Sequence, residues 1–269
     1  MTTSTAALPH HEVSGPADGP PLILGPSLGT STAVWSDQVP VLARDFRTIS
    51  YDLPGHGGSP TGILPEARDG VGAHGTTVAD LAALVLSLAD HFGLDRFHYA
   101  GISLGGAVGA HLAAHHPDRV ASLALVCSSA HFGPPGPWHE RARLVRDQGT
   151  APLLASSPGR WFGDEAFAAT DTGRHLLDTL AATDPEGYAA CCDALATYDL
   201  RHRLADITAP TLVVGGSQDV ATPLPHAREL AAGIPRARLE VLECGHLAAE
   251  AGAPLLEAVR GHLVSALDR

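Results

Sequence analysis

The sequence predicts an α/β fold: a mostly parallel central sheet with helices on both faces, and an inserted helical cap. Three observations predict it. Short, continuously apolar runs alternate with helical stretches, as in a parallel sheet buried on both faces. A glycine-rich turn, Gly101-Ile102-Ser103-Leu104-Gly105, joins one such run to a run of small residues. The alternation lapses from residue 131 to residue 195 and then resumes. A length of 269 residues suits one large domain, or a core carrying an inserted subdomain.

Taken in order, His10 to Val13 reads as a short edge strand, followed by a turn rich in Gly and Pro. Leu22-Ile23-Leu24 is a buried strand that ends at Gly25-Pro26 and opens into the small-residue loop Ser27-Leu28-Gly29-Thr30-Ser31. Val34 to Ala43 is expected to be one helix, and Arg47 to Tyr51 the next strand. Asp52 to Pro60 must be a loop, and residues 61–75 a longer surface loop. Val78 to Phe92 has the apolar spacing of an amphipathic helix. Phe97 to Ala100 leads as a strand into the turn at Ser103, and Gly106 to Ala114 leads out as a tightly packed helix. Val120 to Val126 is another buried strand.

Between His131 and Leu195 no strand-like run occurs, while Pro137 to Gln148 and Glu186 to Ala196 read as helices. The stretch is too long for a plain loop and too helical for a linker. The expected division is therefore a core of residues 1–130 and 196–269, with a cap at 131–195. Strand and helix then alternate again: Thr211 to Val214, Pro225 to Ala232, Arg238 to Leu242 and Pro254 to Leu267.

Composition narrows the function classes. A net charge of −12 argues against nucleic acid and anionic membrane surfaces as partners. All 17 basic residues are arginine, so chemistry through a lysine Schiff base is excluded. Cys127, Cys191, Cys192 and Cys244 have neither metal-ligand spacing nor a disulfide framework, which fits a reducing cytoplasm. No apolar run approaches the roughly 20 residues of a membrane span, and Met1 to Ala7 lacks the basic start of a signal peptide. No cofactor and no metal are expected.

The pentapeptide around Ser103 by itself also fits a serine in an ordinary glycine-rich turn. A strand before it and a helix after it mark instead a strained strand-to-helix turn that exposes a nucleophile. Serine needs a base, and the base needs an orienting acid. Asp219 follows the strand at Thr211–Val214, and His246 follows the strand at Arg238–Leu242. In a parallel sheet these positions share one edge with Ser103, so Ser103, Asp219 and His246 are the candidate triad. Cys127, Ser128 and Ser129 follow the strand ending at Val126, so no acid competes there. Asp193, Asp199 and Asp206 fall in helical or cap context, and His56 reads as a turn residue bonded to backbone. An oxyanion needs donors, and the backbone N–H groups of Leu28 and Leu104 are the candidates. The competing reading of Ser27–Thr30 is a simple helix cap.

These motifs resemble the α/β-hydrolase superfamily. Over nearly the whole chain the sequence is similar to the 3-oxoadipate enol-lactonases of aromatic catabolism. The resemblance is carried by Ser27-Leu28-Gly29-Thr30, Tyr51-Asp52 with Gly55-His56-Gly57, the turn at Ser103, and Gly133-Pro134-Pro135 with Trp138 and Arg141. Arg160-Trp161-Phe162 and, most specifically, Thr183 to Cys192 complete it. It implies a small-molecule partner, a five-membered enol-lactone with an acetate arm that is opened to 3-oxoadipate. An anionic arm entering an acidic protein calls for a local cation, either Arg141 or Arg160, while Trp138 and Tyr188 wall the pocket. The chain departs from the family at Pro26, where Asn is usual, in the longer stretch 61–75, and at 247–253, which lack an expected Asn-Val-Glu. The same triad also suits a carboxylesterase, another lactonase or a cofactor-free perhydrolase. A non-catalytic receptor on this fold would more naturally carry a damaged triad, and a dehalogenase would carry Asp at position 103. Oligomeric state is not encoded in any of these signals.

Overall fold

The computed structural model describes residues 7–64 and 75–267. Among the described residues, seven strands form one sheet in the order β1-β3-β2-β4-β5-β6-β7. In chain order the first elements are β1 (His11–Ser14), β2 (Pro21–Gly25), α1 (Val39–Leu42), β3 (Arg47–Tyr51), α2 (Val78–His91), β4 (Phe97–Ile102), α3 (Leu104–His115) and β5 (Val120–Val126). Five helices follow: α4 (Pro135–Gln148), α5 (Ala151–Leu154), α6 (Ser157–Trp161), α7 (Asp171–Ala182) and α8 (Pro185–Thr197). The chain then re-enters the sheet with β6 (Thr211–Gly216), α9 (Leu224–Gly233), β7 (Ala237–Leu242) and α10 (Gly252–Leu267).

Among these seven strands, β1 runs antiparallel, paired with β3 at one edge, and the other pairings are parallel. The strand carboxyl ends of β2 to β7 therefore lie on one edge of the sheet. β4 is buried at all six positions and β6 likewise, which explains why their sequences run apolar and small without alternation. The helix after β4 is buried almost all round, with Gly105, Gly106, Gly109 and several alanines letting it press against the sheet. α2 covers it, and opens on a reciprocal capping box between Thr77 and Asp80.

The expected helix over Val34–Ala43 is two shorter pieces, a 3-10 turn at Thr32–Trp35 and α1. Pro40 is the reason. It has no N–H to donate, and inside a continuous helix its ring would collide with the carbonyl four residues earlier, so it sits in the first turn of a new helix. Trp35 is also fixed separately, its indole N–H donating to Gly25 O at 3.0 Å. Other elements run a few residues longer than their apolar cores, as at β6 and α10. Within the loop expected at 61–75, Thr61–Ile63 forms a 3-10 turn, while residues 65–74 lie outside the described residues, as does most of the Met1–Ala7 segment. Among the described residues, no helix is long and apolar enough to cross a membrane.

Candidate active site

The turn at Ser103 is held in a conformation that few side chains tolerate. Ser103 has φ 54° and ψ −114°, a positive-φ state costing on the order of 1–3 kcal/mol for a non-glycine residue. The packing around it permits nothing else. A β-carbon at Gly101 would stand 2.4 Å from the carbonyl of Gly105, and one at Gly105 would stand 2.5 Å from Gly25 O. Strand and helix approach too closely for any residue but glycine at these two positions. Tyr99 OH, itself bonded to Tyr51 OH at 2.9 Å, donates to Gly105 O and locks the first turn of α3.

The structure brings the three candidate triad residues together. His246 Nε2 lies 2.8 Å from Ser103 Oγ, and His246 Nδ1 lies 3.0 Å from Asp219 Oδ2 and 3.1 Å from Oδ1. All three side chains are buried. Asp219 Oδ1 accepts the N–H groups of Ala221 and Thr222 at 2.8 and 2.9 Å, and Oδ2 accepts the Thr222 hydroxyl at 2.7 Å. Burial works against ionisation of Asp219, but the imidazole of His246 and the two donors of Thr222 outweigh it and hold the carboxyl at about 2. An ionised Asp219 only accepts, so Nδ1 of His246 carries the proton and Nε2 faces Ser103 as an acceptor. That is the tautomer able to take the serine proton.

Thr222 is a residue the sequence reading missed. Its hydroxyl touches Asp219, Cys127 O at 2.9 Å and His246 Nδ1 at 3.3 Å, tying the end of β5 to the acid and the base. The available signal was its place three residues after Asp219, where an Asp at the start of a turn often bonds forward. Asp193, Asp199 and Asp206 sit away from Ser103 in ion pairs with Arg146, Arg201 and Arg203.

Leu104 follows Ser103 in the chain. Ser27, Leu28 and Ser103 share the wall of one cleft. The loop that carries Leu28 is stitched to the serine turn because Gly105 N–H donates to Pro26 O at 3.0 Å. The departure at Pro26 is thus absorbed, since the loop uses that residue's carbonyl. At 247–253, Glu250 Oε1 accepts both Gly245 N–H and Gly163 N–H at 2.6 Å. It fastens the His246 loop to the inserted segment.

The roof of the cleft comes from the inserted helices. Trp138 and Arg141 project from α4, Arg160 and Trp161 from α6, and Tyr188 from α8, all lining the same space as Ser103 and His246. Arg141 lies over the Trp138 ring, 5.5 Å from its centroid, with its NH1 3.5 Å from Tyr188 OH. Among the described residues, neither Arg141 nor Arg160 has a carboxylate within ion-pair distance. Burial, and then the charge of Arg141, lowers the pKa of Arg160. Two guanidinium groups thus line one cleft. A second cleft, lined by Arg236, Arg238 and His262, lies at the opposite end of β6 and β7 and contains none of the candidate residues.

The fold also has an acid liability. Burial holds His56, His98 and His111 at about 4, below the usual 6.5. A histidine depressed in the fold gains a proton on unfolding, so its contribution to stability is complete above pH 6.5 and is lost as pH falls toward 4. For the fully buried His56 the loss is on the order of 3 kcal/mol. The urea midpoint is therefore expected to change little from pH 7.5 to about 6.5 and to fall from there to pH 5. A constant midpoint over that range would contradict the burial of these rings.

Comparison with known proteins agrees with this architecture. The sequence profile of the α/β hydrolase fold family matches residues 20–152. The 3-oxoadipate enol-lactonase 2 of Acinetobacter baylyi is 35% identical, covering 92% of this chain and 89% of that protein. The crystal structure of the enol-lactonase from Burkholderia xenovorans superposes with a TM-score of 0.85 at 32% identity, covering 97% of this chain and 96% of that one. A thermophilic esterase from Thermogutta terrifontis, solved with malate bound, gives a TM-score of 0.85 at 25% identity, covering 96% and 93%. With a parallel sheet, a strained serine turn and relatives matched over nearly their full lengths, this chain belongs to the α/β-hydrolase family.

Proposed function

We propose that this carboxylic ester hydrolase opens a small lactone bearing a carboxylate arm, 3-oxoadipate enol-lactone being the substrate that fits best. The observation that carries the reading is the pair Arg141 and Arg160, two arginines that face the same cleft as Ser103 and, among the described residues, have no carboxylate partner. A cleft so charged favours an anionic substrate. The named activity of the Acinetobacter and Burkholderia relatives, and the malate bound to the Thermogutta esterase, support the same choice.

In this reading, Ser103 Oγ attacks the lactone carbonyl while His246 Nε2 takes its proton. Asp219 stabilises the imidazolium, and the Leu28 and Leu104 amides hold the oxyanion. The ring C–O bond breaks, His246 returns the proton to the departing enol oxygen, and the enol tautomerises to a ketone. Because the leaving group belongs to the same molecule, it stays attached to the acyl-enzyme. His246 then activates water, which releases 3-oxoadipate and regenerates Ser103. Trp138 and Tyr188 wall the pocket. The core at 1–130 and 196–269, the cap at 131–195 and a cytoplasmic location belong to the same reading.

The test uses Arg141→Met and Arg160→Met. A charge-assisted hydrogen bond contributes roughly 1.5–3 kcal/mol, so at least one substitution is expected to lower kcat/KM for the enol-lactone by about 10- to 100-fold. Turnover of neutral p-nitrophenyl acetate should change little. Equal losses on both substrates would mean that the arginines act on the fold rather than on a carboxylate.

A further inference from the structure

The candidate oxyanion turn is anchored at three points, two of which lie in the loop after β3. At its start, Pro26 O accepts Gly105 N–H at 3.0 Å. At its end, Thr32 N–H donates to Asp52 Oδ1 at 2.7 Å. In the middle, Gly29 N–H donates to His56 Nε2 at 3.0 Å. Gly29 directly follows Leu28, and Thr30 N–H closes the turn onto Ser27 O at 3.1 Å. Gly29 has φ 82° and Leu28 has no positive φ, the signature of a type II turn.

The other ring nitrogen of His56 explains why the residue must be histidine. Nδ1 lies 2.8 Å from Pro54 O, a carbonyl that can only accept. Nδ1 therefore carries the proton, and Nε2 is left with a lone pair for Gly29. A protonated ring would set a donor against a donor. Neutrality is enforced by complete burial, against the opposing pull of Pro54 O and of the carboxylates Asp52 and Asp184. The ring also stacks on Tyr188, with centroids 6.1 Å apart. The same turn docks α8, since Gly55 O accepts Asp184 N–H at 2.8 Å.

We infer that His56 is a positioning residue, a neutral Nδ1–H imidazole whose Nε2 holds the Leu28–Gly29 peptide and so fixes the oxyanion donor of Leu28 against Ser103. The inference rests on the hydrolase reading of Ser103. It does not depend on which ester is the substrate, because every acyl transfer at Ser103 develops the same oxyanion. Its effect belongs in kcat: the bond places a donor that matters most in the transition state.

The experiment compares wild type, His56→Ala and His56→Gln on p-nitrophenyl acetate, with circular dichroism to verify folding. Long-range ¹⁵N–¹H NMR of the imidazoles in wild type completes it. His56→Ala is expected to lower kcat by about 10²-fold with little change in KM, the cost of an ångström-scale misplacement. His56→Gln, which retains a side-chain carbonyl acceptor, is expected to recover part of that loss. The NMR signal missing from both variants should be an Nδ1–H tautomer that does not titrate between pH 5.5 and pH 8, roughly the span around the ordinary histidine pKa. A folded His56→Ala enzyme with unchanged kcat, or an Nε2–H tautomer in wild type, would overturn the inference. Should His56→Ala fail to fold, the kcat of His56→Gln and the tautomer decide the matter. Failure of the lactone assignment would leave these neutral-ester and NMR readouts untouched.

Discussion

Ser103→Ala is expected to lower kcat by about a millionfold while leaving the fold intact, as when the nucleophile of a serine triad is removed. The side chain lost is one hydroxyl, whose partner is His246 Nε2 at 2.8 Å. Deleting it frees a nitrogen that water can reach from the cleft. The strain at φ 54° persists in the alanine variant. Ser103→Gly supplies the complementary result: equal loss of activity, but a gain in stability of roughly 1 kcal/mol, because glycine occupies that region without a β-carbon clash. Steady-state rates and urea midpoints check both. An inactive Ser103→Gly enzyme less stable than wild type would show that the turn is not strained in the sense argued.

Asp219→Asn is expected to reduce kcat by about 10⁴-fold with the geometry preserved. The direction follows from the hydrogen bonds. Oδ1 accepts two backbone N–H groups, from Ala221 and Thr222, so the amide oxygen of Asn must occupy that place. Its NH2 then takes the position of Oδ2 and faces His246 Nδ1. Two donors cannot meet, so the ring gives up the Nδ1 proton and carries it on Nε2 instead. In that tautomer it has no lone pair for the proton of Ser103. Rates at pH 7.5, with the tautomer read by ¹⁵N NMR, check the argument. A rate within tenfold of wild type would assign the orienting role to another acid.

Much of this was legible because the informative residues stand at strand ends. Three apolar runs, each followed within a few residues by Ser103, Asp219 or His246, fix the order and the edge on which these residues meet. A parallel sheet leaves little freedom in that placement. The run of helices between β5 and β6 was equally plain from its length and its prolines. The Thr183–Cys192 segment, most telling in the resemblance, has a physical basis: Asp184 caps α8 through Glu186 and Gly187, and Gly187 lets the helix press onto Pro54 O. Residues acting through backbone atoms were less legible. Thr222 bonds Cys127 O, brought near by folding, and no spacing rule announces such a contact; His56 is readable as a backbone-bonded turn residue, as its bond to Pro54 O bears out, but its bond from Gly29 N–H is not. The broken helix at Val34–Ala43 was misread because its apolar spacing is helical throughout. Pro40 alone decided the outcome.

The most direct measurement of the central claim is kcat/KM of the purified protein for freshly generated 3-oxoadipate enol-lactone, set beside p-nitrophenyl acetate in the same buffer. On the proposed reading Arg141 and Arg160 hold a carboxylate that only the lactone carries, so the lactone is expected to be preferred by about 10- to 100-fold or more. Faster hydrolysis of the neutral ester, with the lactone turned over slowly or not at all, would contradict the assignment.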